Sequence, residues 1–137
     1  RQEMTRQKKS RREARADEVF LRNCWYVAAW DHEVQRLQPF RRIVLNEPVL
    51  LYRKADGKTV ALEDRCCHRH APLSSGRIRG DLVECGYHGL VYDPSGACVR
   101  MPGRDAVPKG VRVKSYPVVE RHRWIWVWMG DTAEADD

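Results

Sequence analysis

The chain has 137 residues, a formal net charge of +6 and five cysteines, which suits one domain built on one core. Seven basic residues fall within residues 1–15 against Glu3 and Glu13 alone, so nearly all of the surplus charge sits in a leader and the rest is close to neutral. No run is apolar and long enough for a membrane span or a signal peptide, and the basic run lacks the interleaved aromatics of a nucleic-acid contact. The odd, scattered cysteines do not resemble the disulfide framework of a small secreted domain. The expectation is a cytoplasmic protein with reduced thiols and no membrane or nucleic-acid partner, in which residues 1–18 are a disordered leader and 19–137 form the domain.

From Val19 onward the pattern is all-β. Residues 23–30, with Trp25, Tyr26 and Trp30, suit either a short helix or an edge strand. A strand follows at 41–46. Residues 50–54 and 58–62 flank Ala55-Asp56-Gly57, where Asp-Gly supplies the positive φ of a tight hairpin. Further strands are expected at 81–85, 90–92, 97–100 and 115–120, punctuated by Gly80, Pro94-Ser95-Gly96 and Pro102-Gly103. In residues 121–129, Trp124, Trp126 and Trp128 alternate with Ile125, Val127 and Met129, the period of a strand with two apolar faces. Such a strand is central or covered by another layer, and its tryptophans are packing residues rather than a stacking platform.

The chemistry lies in two short segments. Cys66-x-His68 is followed, after sixteen residues, by Cys85-x-x-His88, so each segment supplies one thiolate and one imidazole. Two mixed pairs suit a 2Fe-2S cluster in which histidines replace two of four cysteines. Structural zinc takes the same donor types but usually places like ligands together, as Cys-x2-4-Cys and His-x3-5-His, and the Cys-x-His step is too short for that pattern. Zinc therefore stays as the lesser reading, with a zinc-stabilised interaction module as its functional form. Both segments begin where strands end, so two adjacent hairpin tips would clamp the metal at one end of the domain, histidines outward and thiolates deeper. Met101-Pro102-Gly103 could be a third, covering loop or a plain turn. His32 and His122 read as surface groups, His70 is not assigned as a ligand, and Cys67 is expected to pack away from the metal.

The runs Cys66-Cys67-His68-Arg69-His70-Ala71-Pro72 and Cys85-Gly86-Tyr87-His88-Gly89-Leu90 resemble the two cluster-binding loops of Rieske proteins. The resemblance implies an antiparallel β-sandwich with a small cluster-binding subdomain made of two hairpin loops. Cys66 and Cys85 would hold one iron of a [2Fe-2S] cluster, and His68 and His88 the other. The loop disulfide of high-potential members would fall at Ala71 and Tyr87, which cannot form one, and their serine hydroxyl is replaced by Leu90. Fewer donors to the cluster imply the low end of the Rieske range, roughly −150 mV rather than +300 mV.

Residues 20–30, 89–98 and 124–131 extend the likeness to the N-terminal part of Rieske non-haem iron oxygenases, such as the oxygenase component of vanillate O-demethylase. That implies a multicomponent, dioxygen-dependent oxidoreductase acting on an aromatic substrate by hydroxylation or O-demethylation. An NAD(P)H-dependent flavin/iron-sulfur reductase would donate electrons. Mononuclear Fe(II) would sit in a C-terminal domain not present in this chain, which alone would be an electron carrier; with that domain the family forms homotrimers. A self-contained Rieske-type ferredoxin is the alternative.

Overall fold

The computed structural model describes residues 22–67 and 71–135; the leader at 1–18, His68 and His70 lie outside the described residues. The eleven strands among the described residues are β1 (Cys24–Trp30), β2 (Phe40–Val44), β3 (Glu47–Arg53), β4 (Thr59–Glu63), β5 (Arg77–Arg79), β6 (Leu82–Glu84), β7 (Val91–Tyr92), β8 (Cys98–Arg100), β9 (Ser115–Tyr116), β10 (Val118–Arg121) and β11 (Trp124–Met129). They form three antiparallel sheets: β1-β11-β10, β2-β3-β4-β9 and β5-β6-β7-β8. The all-β expectation holds, and residues 23–30 resolve into an edge strand with a bulge between Val27 and Ala29.

The second sheet is the middle layer. Along β3 the side chains alternate between two cores. Val49 and Leu51, with Ala61 of β4, meet Ile125, Val127 and Met129 of the first sheet. Leu50 and Tyr52, with Leu62, meet Ile78, Val83, Leu90 and Tyr92 of the third sheet and its loops. A strand covered on both faces must be apolar throughout, which accounts for the run Pro48-Val49-Leu50-Leu51-Tyr52.

β11 is the central strand of its sheet, as its two apolar faces required. All five tryptophans of the chain lie on the outer face of that sheet. Trp25 meets Trp128 edge-on at 5.4 Å, and Trp30 stacks on Trp124. The ladder is thus a self-packing layer.

Three local expectations change. Residues 121–129 are not one strand: Arg121 ends β10, and His122 and Arg123, with φ of 56° and 70°, form a two-residue turn into β11. Residues 115–120 are interrupted at Pro117, so that β9 pairs with β4 while β10 pairs with β11, and the chain crosses from one sheet to another. Residues 77–79, outside the expected strands, form β5 and pair with β6 across Gly80-Asp81. The Asp56-Gly57 hairpin is present as expected, with Gly57 at φ 86°.

Candidate metal centre

Two loops leave the third sheet and its junction with β4. The first, from Asp64 to Gly76, is fastened by Asp64, which is 1% exposed. Its carboxylate accepts hydrogen bonds from the Ser74 amide at 2.7 Å and the Ser74 hydroxyl at 2.6 Å, and faces the Arg41 guanidinium at 3.4 Å. The Asp64 amide in turn donates to the Pro48 carbonyl. A buried carboxylate is tolerated only when so partnered, and here it ties both ends of the loop to β2 and β3. Within the loop the Cys66 amide donates to the Ala71 carbonyl at 2.7 Å.

The second loop, between β6 and β7, closes through Cys85 N–H to Leu90 C=O at 2.7 Å and Gly89 N–H to Cys85 C=O at 3.0 Å. The two loops touch at glycines. A Cβ on Gly76 would overlap the Glu84 carbonyl, and one on Gly86 would stand 3.1 Å from the Ser75 carbonyl. Met101 to Arg104 make a turn that also lies against the second loop, since a Cβ on Gly89 would come within 3.3 Å of Pro102 Cγ.

Cys66 and Cys85 are each 2% exposed, whereas Gly86, Tyr87 and His88 are on the surface. Burial pushes the Cys85 thiol up, and the neighbouring Cys66 thiol adds to this, while the backbone N–H groups of Tyr87 and His88 act in the opposite sense. Two thiols buried side by side resist losing both protons in a protein interior. A bound cation reverses that balance, and amides directed at a sulfur favour its thiolate. The donor set therefore fits a thiolate-ligated metal group. Cys85 and Cys66 are brought together; His88 stands at the tip; His68 lies outside the described residues. No group of three or more His, Cys, Asp or Glu side chains converges as a ready-made metal site among the described residues.

One residue escaped the sequence reading. Tyr92, fully buried, places its hydroxyl 3.2 Å from Cys66 Sγ and 3.1 Å from Cys67 Sγ, and accepts the Cys67 N–H at 3.3 Å. Burial, with the two thiols, drives its phenol well above the usual tyrosine range, so it stays protonated. A thiolate cannot donate, so against deprotonated Cys66 the phenol must be the donor. The signal was its place two residues after Leu90 on a strand that enters the second core, but that pattern reads as packing alone. Cys67, expected to turn away, is exposed yet shares this hydroxyl with Cys66. All five cysteines are free thiols, and His32 and His122 are exposed. No helix among the described residues is long and apolar enough to cross a membrane.

A three-layered antiparallel β-domain with two buried thiols on neighbouring loops has the donors of a metal-binding domain. Residues 24–117 match the Rieske [2Fe-2S] domain, and the chain belongs to that family. It is 60% identical over 118 residues to the iron-sulfur subunit of the toluene-4-sulfonate monooxygenase system of Comamonas testosteroni, covering 86% of this chain and 34% of the relative. It is 43% identical over 118 residues to the vanillate O-demethylase oxygenase subunit of a Pseudomonas strain, covering 86% and 33% respectively. A crystal structure of dicamba monooxygenase superposes with a TM-score of 0.81 at 47% identity, covering 85% of this chain and 37% of that one. The chain thus spans about a third of the length of the relatives it matches.

Proposed function

We propose that this chain is the electron-relay domain of a Rieske non-haem iron oxygenase, with Cys66 and Cys85 on one iron of the [2Fe-2S] cluster and His68 and His88 on the other. The observation that carries the assignment is the division of the two segments: Cys66 and Cys85 are buried side by side, with the Tyr92 hydroxyl on Cys66, while His88 stands in the open. Bound there, the cluster supplies a one-electron carrier of the Rieske potential range. The chain's residues exclude water from the sulfurs, direct the Tyr92 hydroxyl at Cys66, and present the imidazole side to partners.

The relatives support the wider reading. Each is a subunit or component of an oxygenase, which favours the oxygenase domain over a self-contained ferredoxin. In that setting an NAD(P)H-dependent reductase delivers electrons. They pass on to a mononuclear iron held by the part of the longer proteins that this chain does not cover. The substrate class is aromatic, the assembly a homotrimer and the location cytoplasmic.

Iron and acid-labile sulfide analysis of anaerobically purified protein tests the assignment, together with its visible spectrum and the electron paramagnetic resonance of the reduced form. The expected protein is coloured, holds two irons and two sulfides per chain, and gives a rhombic signal. A colourless protein holding zinc would replace this reading with the structural-zinc module.

A further inference from the structure

A single hydroxyl hydrogen stands between two sulfurs. The Tyr92 oxygen lies 3.2 Å from Cys66 Sγ and 3.1 Å from Cys67 Sγ, and it accepts the Cys67 N–H at 3.3 Å. A phenol has one proton to give, and its oxygen has room for two donors. When Cys66 is a ligand thiolate it carries no proton, so the Tyr92 O–H must point at Cys66. The Cys67 sulfur is then bonded to the hydroxyl only as a donor, through its S–H. Every bonding site of the hydroxyl is thereby used: Cys67 supplies both hydrogens it accepts, and Cys66 receives the one it gives.

That count fixes a direction, from Cys67 S–H through Tyr92 O–H to the Cys66 sulfur. Tyr92 and Cys66 are buried, whereas Cys67 is exposed, so the outer end of the chain of bonds is at the surface. Residue 67 lies in a turn, and this lets two neighbouring side chains reach the same oxygen, which alternation along a strand would forbid. A hydroxyl that accepts at its oxygen is polarised, and such chains strengthen by roughly 10–30% per bond in a protein interior. An O–H directed at a ligand sulfur favours the more negative, reduced state.

We propose that Cys67 is a positioning residue for electron transfer: its S–H, acting through Tyr92, orients and polarises the donor to Cys66 and so raises the midpoint potential. The inference rests on the electron-relay reading and adds to it a surface thiol, outside the ligand set, that sets how readily the domain accepts an electron.

A spectroscopic redox titration of the cluster-loaded 137-residue chain and three variants tests it. Cys67→Ala removes the S–H and should leave the protein about twofold less reduced at a fixed potential, a fall of about 18 mV for one electron. Cys67→Ser restores a donor at the same place and should come within about 1.2-fold of wild type. In a Tyr92→Phe background the link is gone, and adding Cys67→Ala should change the ratio by less than about 1.2-fold. An unshifted alanine variant, a serine variant as low as alanine, or an equal fall in the phenylalanine background overturns the chain of bonds and leaves the relay reading standing. Loss of iron and sulfide from Cys67→Ala alone overturns it too, by making Cys67 a ligand. Wild-type protein that holds no iron and sulfide overturns the relay reading, and this inference with it.

Discussion

The Tyr92 hydroxyl lies 3.2 Å from the Cys66 sulfur, inside a core that solvent does not reach. Leu90 stands where high-potential Rieske proteins carry a serine hydroxyl, so this phenol is a donor that the second loop itself does not supply. Reduction adds negative charge to the sulfurs, and an O–H donor favours the more negative state. Tyr92→Phe should therefore lower the midpoint potential by roughly 40–80 mV, for a difference of about 1–2 kcal/mol between the redox states. A spectroscopically monitored redox titration measures it, and an unchanged midpoint would remove the hydroxyl from any tuning role.

The loops depend on each other through Gly76. Its φ of −89° is not in the left-handed region, and the chief constraint is room, because a Cβ would overlap the Glu84 carbonyl at the end of β6. Gly76→Ala should separate the loops, destabilise the protein by about 2–4 kcal/mol and reduce cluster retention. Gly103→Ala is the comparison: φ is 82° but nothing lies within 4 Å, and the cost should be about 1 kcal/mol with the cluster retained. Urea midpoints and the visible absorbance of each variant separate the two, and equal losses would show that loop contact is not what Gly76 protects.

Much of this site was legible before the structure, because metal ligands are few residue types at short spacings and strands announce themselves by alternation. Cys66, Cys85 and His88 were singled out as candidates that way, and the Asp56-Gly57 hairpin was read by the same means. Tyr92 was not, since a buried aromatic on a strand looks the same whether its hydroxyl serves a sulfur or nothing. The function of Asp64 was hidden for a like reason: its partner Ser74 is ten residues away along a loop without periodicity. The break at Pro117 escaped because residues on both sides have the same strand pattern, and only the packing of two sheets decides where each pairs.

Alkaline stability follows from two buried phenols distant from the cysteines in sequence. Burial pushes Tyr52 above the usual tyrosine range, helped by the charges of Asp93 and Asp81; burial does the same to Tyr116, with Glu47 and Glu63 adding. Unfolded tyrosine ionises near pH 10. Above that the unfolded chain binds fewer protons than the folded one, so stability is complete below about pH 10 and falls as pH rises further. Tyr52→Phe gives up the bond to the Asp81 carbonyl at 2.9 Å, about 1 kcal/mol at neutral pH, yet should lose less than wild type between about pH 9 and 11. Urea unfolding across that range tests the sign, and parallel curves for the two proteins would exclude Tyr52 as a source of the slope.

The turn between β10 and β11 is held by residues poorly suited to it. His122 and Arg123 occupy φ of 56° and 70°, the left-handed pair of a type I′ turn that Asn-Gly adopts with little strain. Neither side chain is buried. The Arg123 side chain reaches Asp31 at 3.7 Å while 76% exposed, a contact of little weight in solvent. Its carbonyl accepts the Asp31 N–H, a bond that any residue retains. Replacing His122-Arg123 by Asn-Gly should relieve about 1–2 kcal/mol of backbone strain, less a few tenths for the greater freedom of unfolded glycine. The central strand of the first sheet would then be anchored more firmly, and the thermal midpoint should rise by about 3–8 °C. Calorimetry of the two proteins with equal cluster content measures this. A lower midpoint would mean that Arg123 and Asp31 contribute more than their exposure allows.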